Sequence, residues 1–322
     1  MIIRNWLRSL IAFLHRLGEG YRHDHRRRNV SRTSICCLIF VVAIATGVAL
    51  SPRCTSEPAA SPEDRAWEDL SRFAYPSLSG IEWRPHFIRP QDSLERLFGD
   101  DWVLVARFNR IDRRHAYPGV TIKVPENIDE IKEYTPLPRL YESAQGHARY
   151  ILIHITEQWL GAYEFGVLKF SMPAATGVQD HPTPAGMFLV DAHHRDHTSS
   201  LYKTEKGDAQ YPMDYAIRFY VSPDNVAFWI HARDLPGRPA SHGCVGLFDE
   251  TMQKRTYGVP AAPVLDDARR LYEWVVGPEG LLTDTGGLRI ISNGPIVEVT
   301  GDLPRYLDAP PVRSPWAVVE NR

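Results

Sequence analysis

The stretch from Trp229 to Phe248 carries the residue types of a thiol nucleophile and its base. An apolar segment ends at His231, a loop with two prolines follows, and the run Ser-His-Gly-Cys then ends at Cys244. A free thiol is mostly protonated at neutral pH, so it needs a neighbouring imidazole to take its proton before it attacks an acyl carbon. His231 and Cys244 are 13 positions apart. Two adjacent strands can therefore bring them within hydrogen-bond reach.

The residues just before the cysteine fit the same chemistry. Gly243 allows a close approach of the backbone, so that the amides of Gly243 and Cys244 can stabilise an oxyanion. Ser241 and His242 complete the run. The residue types alone also fit a buried, inert cysteine beside histidines that only support the fold, and both interpretations stay open at this stage.

The complete string from Ile230 to Val245 resembles the L,D-transpeptidase catalytic domain, whose signature is a histidine, a loop and then Ser/Thr-His-Gly-Cys. The resemblance covers residues 148 to 300 and includes four further segments, Gly177, Thr183–Phe188, Tyr215–Phe219 and Asp267–Tyr272.

The resemblance implies a role for each of these residues. Cys244 is the nucleophile, His231 is its base, and His242 positions the substrate. The amides of Gly243 and Cys244 form the oxyanion hole, and Ser241 belongs to the same signature.

The resemblance also implies a reaction that needs no cofactor and no metal. The thiol attacks the bond between the L-centre of diaminopimelate and D-Ala in a peptidoglycan tetrapeptide stem, and D-Ala leaves. An amine of another stem, a lipoprotein lysine or a free D-amino acid then accepts the acyl group. If water accepts it, the protein is an L,D-carboxypeptidase. If the site is inactive, the protein is a non-catalytic peptidoglycan-binding anchor.

This sequence departs from the family pattern at three places. The loop between His231 and Ser241 is short, so the flap over the thiol is expected to differ. Gly246 stands where the family commonly has arginine, so a contact to a substrate carboxylate is either missing or supplied by another residue. The candidates are Arg218, Arg233 and Arg238. An extra stretch, from Phe248 to Pro263, separates the cysteine from the next helix.

Alternating apolar residues predict a catalytic domain over residues 147–303 that is α+β and mainly β, with a β-sandwich-like arrangement. One principal helix is expected at Val264–Val276, and residues 304–322 form a C-terminal tail. The predicted strands are Tyr150–Ile155, Leu160–Phe165, Val167–Ser171, Met187–Val190, Ala216–Val221 and Val226–His231.

Residues 84–126 predict a compact unit in the order strand, helix, helix, strand. A helix start at Asp92-Ser93, Asn109 after the second helix and a Pro118-Gly119 turn carry the pattern. The unit resembles a LysM module, which implies binding to peptidoglycan glycan, and a small helical spacer without a ligand is the alternative. Residues 127–146 read as a linker.

The N-terminus predicts a membrane anchor. Residues 1–34 contain eight arginines and two acidic residues, and the 20 positions from Thr33 to Pro52 contain no charge. About 20 apolar residues in a helix span a bilayer, and flanking positive charge stays in the cytoplasm. We therefore expect a basic cytoplasmic segment, a single inner-membrane span at residues 35–52, a tether at 53–83 and a periplasmic catalytic domain. A cleaved signal peptide and a buried core helix are the alternatives.

Composition excludes several other classes of protein. The net charge of -2 combines a basic N-terminus with an acidic remainder, so no nucleic-acid partner is expected. Of the four cysteines only Cys244 lies in the predicted catalytic domain, which leaves no disulfide within it. The run Asp191–His197 contains three histidines that suit zinc, but its spacing favours a polar loop near the cleft over a metal site.

Overall fold

The structure, a computed structural model, describes residues 81–204 and 207–303. The predicted cytoplasmic segment, the membrane span, the tether up to residue 80 and the predicted C-terminal tail at residues 304–322 lie outside the described residues. Within the described residues, none of the helices has the length and apolar character needed to cross a bilayer.

The N-terminal unit has the predicted order of elements. Strand β1 (Trp83–Phe87) pairs antiparallel with β2 (Thr121–Pro125), and helices α1 (Leu94–Phe98) and α2 (Trp102–Phe108) lie between them in the chain. Ser93 caps α1 as the sequence predicts, because its Oγ accepts a hydrogen bond from the amide of Arg96 at 3.3 Å.

Asn109 ties the end of α2 to β2. Its side-chain oxygen accepts from the Lys123 amide at 2.7 Å, and its side-chain nitrogen donates to the Lys123 carbonyl at 2.7 Å and to the Val105 carbonyl at 2.9 Å. The asparagine that carried the sequence pattern is thus the residue that joins helix and strand. The apolar residues beneath it are fully buried, namely Ile88, Leu94, Val105, Phe108 and Ile122.

The second part of the chain is built on one ten-stranded sheet. Its strand order is β13-β7-β10-β11-β12-β5-β4-β3-β14-β6. The strands are β3 (Tyr150–His154), β4 (Trp159–Glu164), β5 (Val167–Ala175), β6 (Gly186–Leu189), β7 (Ala192–His194), β10 (Ala216–Val221), β11 (Ala227–Arg233), β12 (Val245–Phe248), β13 (Leu288–Ile290) and β14 (Ile296–Thr300). Strands β8 (Thr198–Lys203) and β9 (Gln210–Pro212) form a separate hairpin.

The mainly β class is confirmed, but the two layers are halves of one curled sheet. The halves join where β12 pairs with β5, at Gly246 opposite Ala175. The sheet then bends so that Phe188 of β6 lies 5.5 Å from Phe219 of β10. One apolar core fills the space between the halves. Curling of this kind follows from the right-handed twist of strands in a long sheet.

The prediction of a single principal helix is wrong, because helix α3 (Glu250–Tyr257) lies in the stretch expected to be an insertion. Its only fully buried apolar residue is Met252, and its other buried side chains are Glu250 and Gln253. A helix that buries polar groups has no apolar periodicity to detect. The predicted helix is α4 (Asp267–Leu282), which begins three residues later than expected and is interrupted at Gly277 (φ 73°).

The predicted linker is packed against the sheet. It contains two short 3-10 turns, Ile128–Ile131 and Glu142–Ala144. Leu137 is buried in a cluster with Trp159 and other residues of β3 and β4. The N-terminal unit is packed in the same way, since its core continues into Leu235, Phe248 and Leu265 of the catalytic domain. The two units therefore form one folded body through shared apolar burial.

The loop after α2 also contacts the loop that follows β11. Ile111 forms an antiparallel bridge with Pro236, and the Gly237 amide donates to the Arg110 carbonyl at 3.0 Å.

Asp112 provides the central contact between these two loops and is fully buried. One carboxylate oxygen accepts from the Leu235 amide at 2.6 Å and from the Gln253 side chain at 3.0 Å. The other accepts from the His115 amide at 2.9 Å. A buried carboxylate with several donors holds its partners firmly, because an unpaired buried charge is very unfavourable.

We expect Asp112→Ala to destabilise the fold by about 3 kcal/mol, because it leaves the buried amide of Leu235 and the amide group of Gln253 without an acceptor. Urea unfolding of the full chain measures this change. Asp100→Ala, at an exposed position, is the matched control and should change the free energy of unfolding by less than about 0.5 kcal/mol. Equal stability of the two variants would contradict the role given to Asp112.

Candidate active site

The site is built on the parallel pair β11 and β12. His231 lies opposite Gly246 in their register. Side chains alternate between the two faces of a strand, and one face packs into the core through Ile230, Ala232, Val245 and Leu247. The other face therefore carries His231 and Arg233 of β11 beside Gly246 of β12, with Cys244 directly before β12.

His231 is oriented by a backbone carbonyl. The imidazole is 2% exposed, and its Nδ1 lies 2.7 Å from the carbonyl oxygen of Ala232. Since a carbonyl only accepts, Nδ1 must carry the proton, which leaves the lone pair on Nε2 to act as a base. Burial, helped by the charge of Arg233, lowers the pKa of His231 to about 3. The sequence could not indicate Ala232, because only its backbone takes part.

Cys244 is half-buried and packs against Met213, Ala216 and Trp229. Burial raises the pKa of its thiol to about 11, although a backbone contact with Trp229 and the charge of Arg233 act in the opposite direction. At neutral pH the thiol is therefore protonated and the imidazole neutral. The resting site holds a neutral pair rather than a thiolate and an imidazolium.

Ser241 and Gly243 shape the turn before the thiol. Ser241 Oγ donates to the Cys244 carbonyl at 2.5 Å and accepts from the Gly243 amide at 3.1 Å. Gly243 has φ +107°, and a Cβ there would lie 2.5 Å from the Phe228 ring. Only glycine fits such a position. Of the two amides predicted to stabilise the oxyanion, that of Gly243 already donates to Ser241 Oγ. The Cys244 amide is the other predicted donor, and Ser241 does not bind it.

The motif segment that begins at Gly177 supports this turn from the side. The Ser241 amide donates to the Thr176 carbonyl at 3.1 Å, and the Val178 amide donates to the Ser241 carbonyl at 3.0 Å. Thr183 closes the segment, since its Oγ1 accepts from the Gly177 amide at 2.9 Å. The structure thus places two predicted motifs side by side.

His242 is exposed and lies under the β8–β9 hairpin. Its ring stacks on Tyr202 of β8 at 4.2 Å between centroids and lies 4.9 Å from the ring of His181. Burial by these neighbours and the charges of His181 and Arg233 lower the pKa of His242. This contact brings to the site a hairpin that the sequence analysis did not predict. Sequence reasoning missed it because its two strands are short and largely polar.

Three arginines were candidates to replace the family arginine at Gly246. Arg218 is occupied by both oxygens of Asp191, at 2.8 and 3.1 Å. Arg238 is exposed in the loop. Arg233 lies across Gly246, where an added Cβ would be 2.6 Å from its own Cβ. The structure thus brings Arg233 into the space that a larger residue at 246 would take.

The run Asp191–His197 was predicted to be a polar loop. The structure corrects this prediction in part, because Ala192–His194 form strand β7. His193 is buried, and its Nδ1 is 2.6 Å from the Tyr272 hydroxyl. His194 and His197 contact each other through their Nδ1 atoms at 2.9 Å. Among the described residues no group of three or more metal-ligating side chains converges.

The part of the chain that contains the site is similar to a known protein family. Residues 148–299 match the family model of the L,D-transpeptidase catalytic domain (YkuD). The match covers just under half of the chain and contains every predicted site residue. Compared with curated proteins, the sequence has no significant match.

Solved L,D-transpeptidases are similar to part of this chain. L,D-transpeptidase 1 of Mycobacterium tuberculosis is 19% identical, with a TM-score of 0.31 over 48% of this chain and 62% of that one. L,D-transpeptidase 3 of the same organism, solved with a faropenem-derived adduct, is 18% identical, with a TM-score of 0.32 over 48% and 60%. The L,D-transpeptidase of Xylanimonas cellulosilytica is 19% identical, with a TM-score of 0.35 over 61% and 78%. This chain thus spans about three fifths of the two mycobacterial proteins.

We expect alkylation of Cys244 by iodoacetamide to speed up about tenfold per pH unit between pH 7 and 10, because the thiolate fraction grows in that proportion below a pKa of about 11. Mass spectrometry of the peptide that contains Cys244 separates it from the other three cysteines. His231→Gln should alkylate at nearly the wild-type rate at pH 7. A plateau that begins below pH 7, abolished by His231→Gln, would instead demonstrate a thiolate–imidazolium pair.

Proposed function

We propose that the protein is a membrane-anchored periplasmic L,D-transpeptidase that acts on peptidoglycan stem peptides through Cys244. The observation that carries the proposal is the arrangement on β11 and β12. A histidine with its Nδ1 proton held by the Ala232 carbonyl and a cysteine lie on one face, inside the stretch that matches the L,D-transpeptidase catalytic domain.

The first half of the proposed reaction is acylation of the thiol. Nε2 of His231 takes the proton of Cys244 as the sulfur attacks the carbonyl carbon at the L-centre of diaminopimelate. Both groups are neutral at rest, so proton transfer accompanies attack. The Cys244 amide stabilises the oxyanion. As the carbon–nitrogen bond breaks, the imidazolium gives its proton to the amine of D-Ala, which leaves a thioester.

In the second half, an amine replaces sulfur on the acyl carbon. His231 is neutral again after D-Ala leaves, so its Nε2 can take the proton of the incoming amine. That proton then returns to the sulfur as the thioester breaks. The acceptor is the side-chain amine of another stem, which yields a 3,3 cross-link, a lipoprotein lysine, or a free D-amino acid. His242 and Tyr202 lie at the rim and position the peptide.

We expect the wild-type protein to release D-Ala from a disaccharide tetrapeptide and to form a cross-linked dimer or an exchanged product, detected by mass spectrometry. Cys244→Ala should lower the rate by about 10⁴-fold or more, and His231→Gln by about 10³-fold, since one loses the nucleophile and the other its base. His147→Gln, a histidine that contacts the ring of Tyr150 instead, is the matched control and should keep full activity.

A tripeptide as the sole product would identify hydrolysis as the reaction of this site. The intact mass after exposure to a carbapenem gives an independent reading, because the proposed thiol should form a covalent adduct that Cys244→Ala lacks. Wild-type protein that forms neither product nor adduct would refute the enzymatic proposal and leave a peptidoglycan-binding anchor.

Attachment to the envelope is proposed at two points. The uncharged residues from Thr33 to Pro52, after an arginine-rich segment, support a single inner-membrane span with the catalytic domain in the periplasm. The unit from β1 to β2 has the order strand, helix, helix, strand, which supports a LysM-like module that binds the glycan. Both attachments would hold the thiol close to the wall.

We expect full-length Cys244→Ala to stay in the membrane pellet after alkaline extraction and to be released by detergent. The detergent-solubilised chain should then sediment with purified sacculi, and oligomers of N-acetylglucosamine should displace it. Recovery in the alkaline supernatant would contradict the anchor. Binding to sacculi that these oligomers leave unchanged would assign the N-terminal unit the role of a spacer.

A further inference from the structure

We propose that Arg233, whose stem fills the space left by the missing side chain of Gly246, binds a carboxylate of the acyl-donor peptide next to the scissile bond. The inference rests on the proposed acyl transfer at Cys244 and names the substrate chemistry that this site selects. It stands on the position of the arginine, on its buried N–H without an acceptor and on its electrostatic influence on the reacting groups.

Position is the first argument. Arg233 follows His231 by two residues on β11, so both side chains lie on the same face of the sheet. Its stem crosses Gly246, which pairs with His231 in the neighbouring strand. A Cβ at position 246 would come within 2.6 Å of Arg233 Cβ and 2.9 Å of its Cγ. Any side chain at 246 would therefore displace the arginine from the site.

The second argument is that, among the residues that the structure describes, no carboxylate forms a salt bridge with Arg233, and one of its N–H groups has no acceptor. One terminal nitrogen donates to the Ala240 carbonyl at 2.8 Å, while Nε is buried and without a partner there. The guanidinium carbon also lies 5.5 Å from the ring centre of Tyr211. A buried N–H without an acceptor is unfavourable unless a ligand completes it.

Against the effect of burial, the charge of Arg233 lowers the pKa of the neighbouring Asp234, so the two groups attract each other through space, but the hydrogen bonds of that carboxylate go to other residues. One oxygen accepts from the Tyr211 hydroxyl at 2.5 Å, and the other lies 3.4 Å from Arg114 and 3.5 Å from His115. Some arginines elsewhere in the described chain pair with acids. Arg113, for example, contacts Glu250 at 2.5 Å, whereas Arg149 donates only to the carbonyls of Trp274 and Val275.

The third argument is electrostatic. The charge of Arg233 contributes to the lowered pKa of His231 and of His242 and opposes the raised pKa of Cys244. An anion bound to Arg233 is thus close enough to influence all three groups. A planar guanidinium can offer Nε–H and a terminal N–H to both oxygens of a single carboxylate.

Two carboxylates of a tetrapeptide donor lie close to the scissile bond, and the experiment separates them. One is the terminal carboxylate of D-Ala, and the other is on the D-centre of diaminopimelate. The test uses the full chain and three donors, namely the free tetrapeptide, the D-Ala amide and the diaminopimelate amide, and measures kcat/KM for each.

We expect one of the two amides to lower kcat/KM of the wild type by about 10- to 100-fold. Arg233→Gln should lose the same factor on the free tetrapeptide and should no longer distinguish it from that amide. Gly246→Ala should behave similarly, since it displaces the arginine. Arg233→Lys should recover part of the preference. Arg238→Gln, in the same loop and exposed, is the matched control and should keep the wild-type preference.

Discrimination that survives in Arg233→Gln, or wild-type rates that neither amide changes, would overturn the proposal. Binding of the same peptides to Cys244→Ala, measured by calorimetry, needs no turnover. If the wild type turns over none of the donors while Cys244→Ala still prefers the carboxylate through Arg233, acyl transfer fails and carboxylate binding stands. If turnover proceeds and the preference is independent of Arg233, only the carboxylate site fails.

Discussion

The site depends on the parallel pairing of β11 with β12. This register places His231 opposite Gly246, and the alternation of side chains assigns the core to one face and chemistry to the other. The core face is entirely apolar and fully buried at Ile230, Ala232, Val245 and Leu247. A shift of the register by one residue would bury the histidine in the apolar core. Burial of the core face thus fixes where the histidine and the thiol lie.

The connection between these two strands is short, and it is held from outside. A parallel pair usually needs a long crossover, often a helix, whereas here the loop from β11 to β12 rests on the loop after α2. Asp112 supplies acceptors for that loop at Leu235, and the Arg110 carbonyl supplies one for Gly237. The N-terminal unit is therefore part of the scaffold of the catalytic loop as well as a candidate glycan module.

The same loop links the β8–β9 hairpin to this scaffold. Asp234 contacts Arg114 and His115 on one side and accepts from the Tyr211 hydroxyl of the hairpin on the other. The other strand of the hairpin carries Tyr202, which stacks on His242. A movement of the loop after α2 would therefore be transmitted to the hairpin through the Asp234 carboxylate.

Sequence reasoning found what local pattern encodes. Cys244 and His231 were predictable because a motif names them, and β10 was predicted at its observed bounds because apolar residues alternate there. Helix α3 and the docking of the N-terminal unit were not, since both rely on buried polar groups such as Glu250 and Asp112, which pair over a long sequence separation. The choice of Arg233 among three arginines also required the structure, because only contacts show that Asp191 occupies Arg218.

The electrostatics of the pair link recognition to chemistry. Burial keeps both His231 and Cys244 neutral, so in the proposed reaction charge would appear only when the sulfur attacks and the imidazole becomes positive. That new charge forms near Arg233, whose own charge disfavours it. A carboxylate bound to Arg233 would cancel this repulsion and make Nε2 a stronger base at the moment when a donor is present. A donor without the carboxylate would meet a weaker base and a thiol that stays protonated. The same arginine would thus select the donor and restrict the reactive state to the complex, which is how binding energy becomes useful in a transition state.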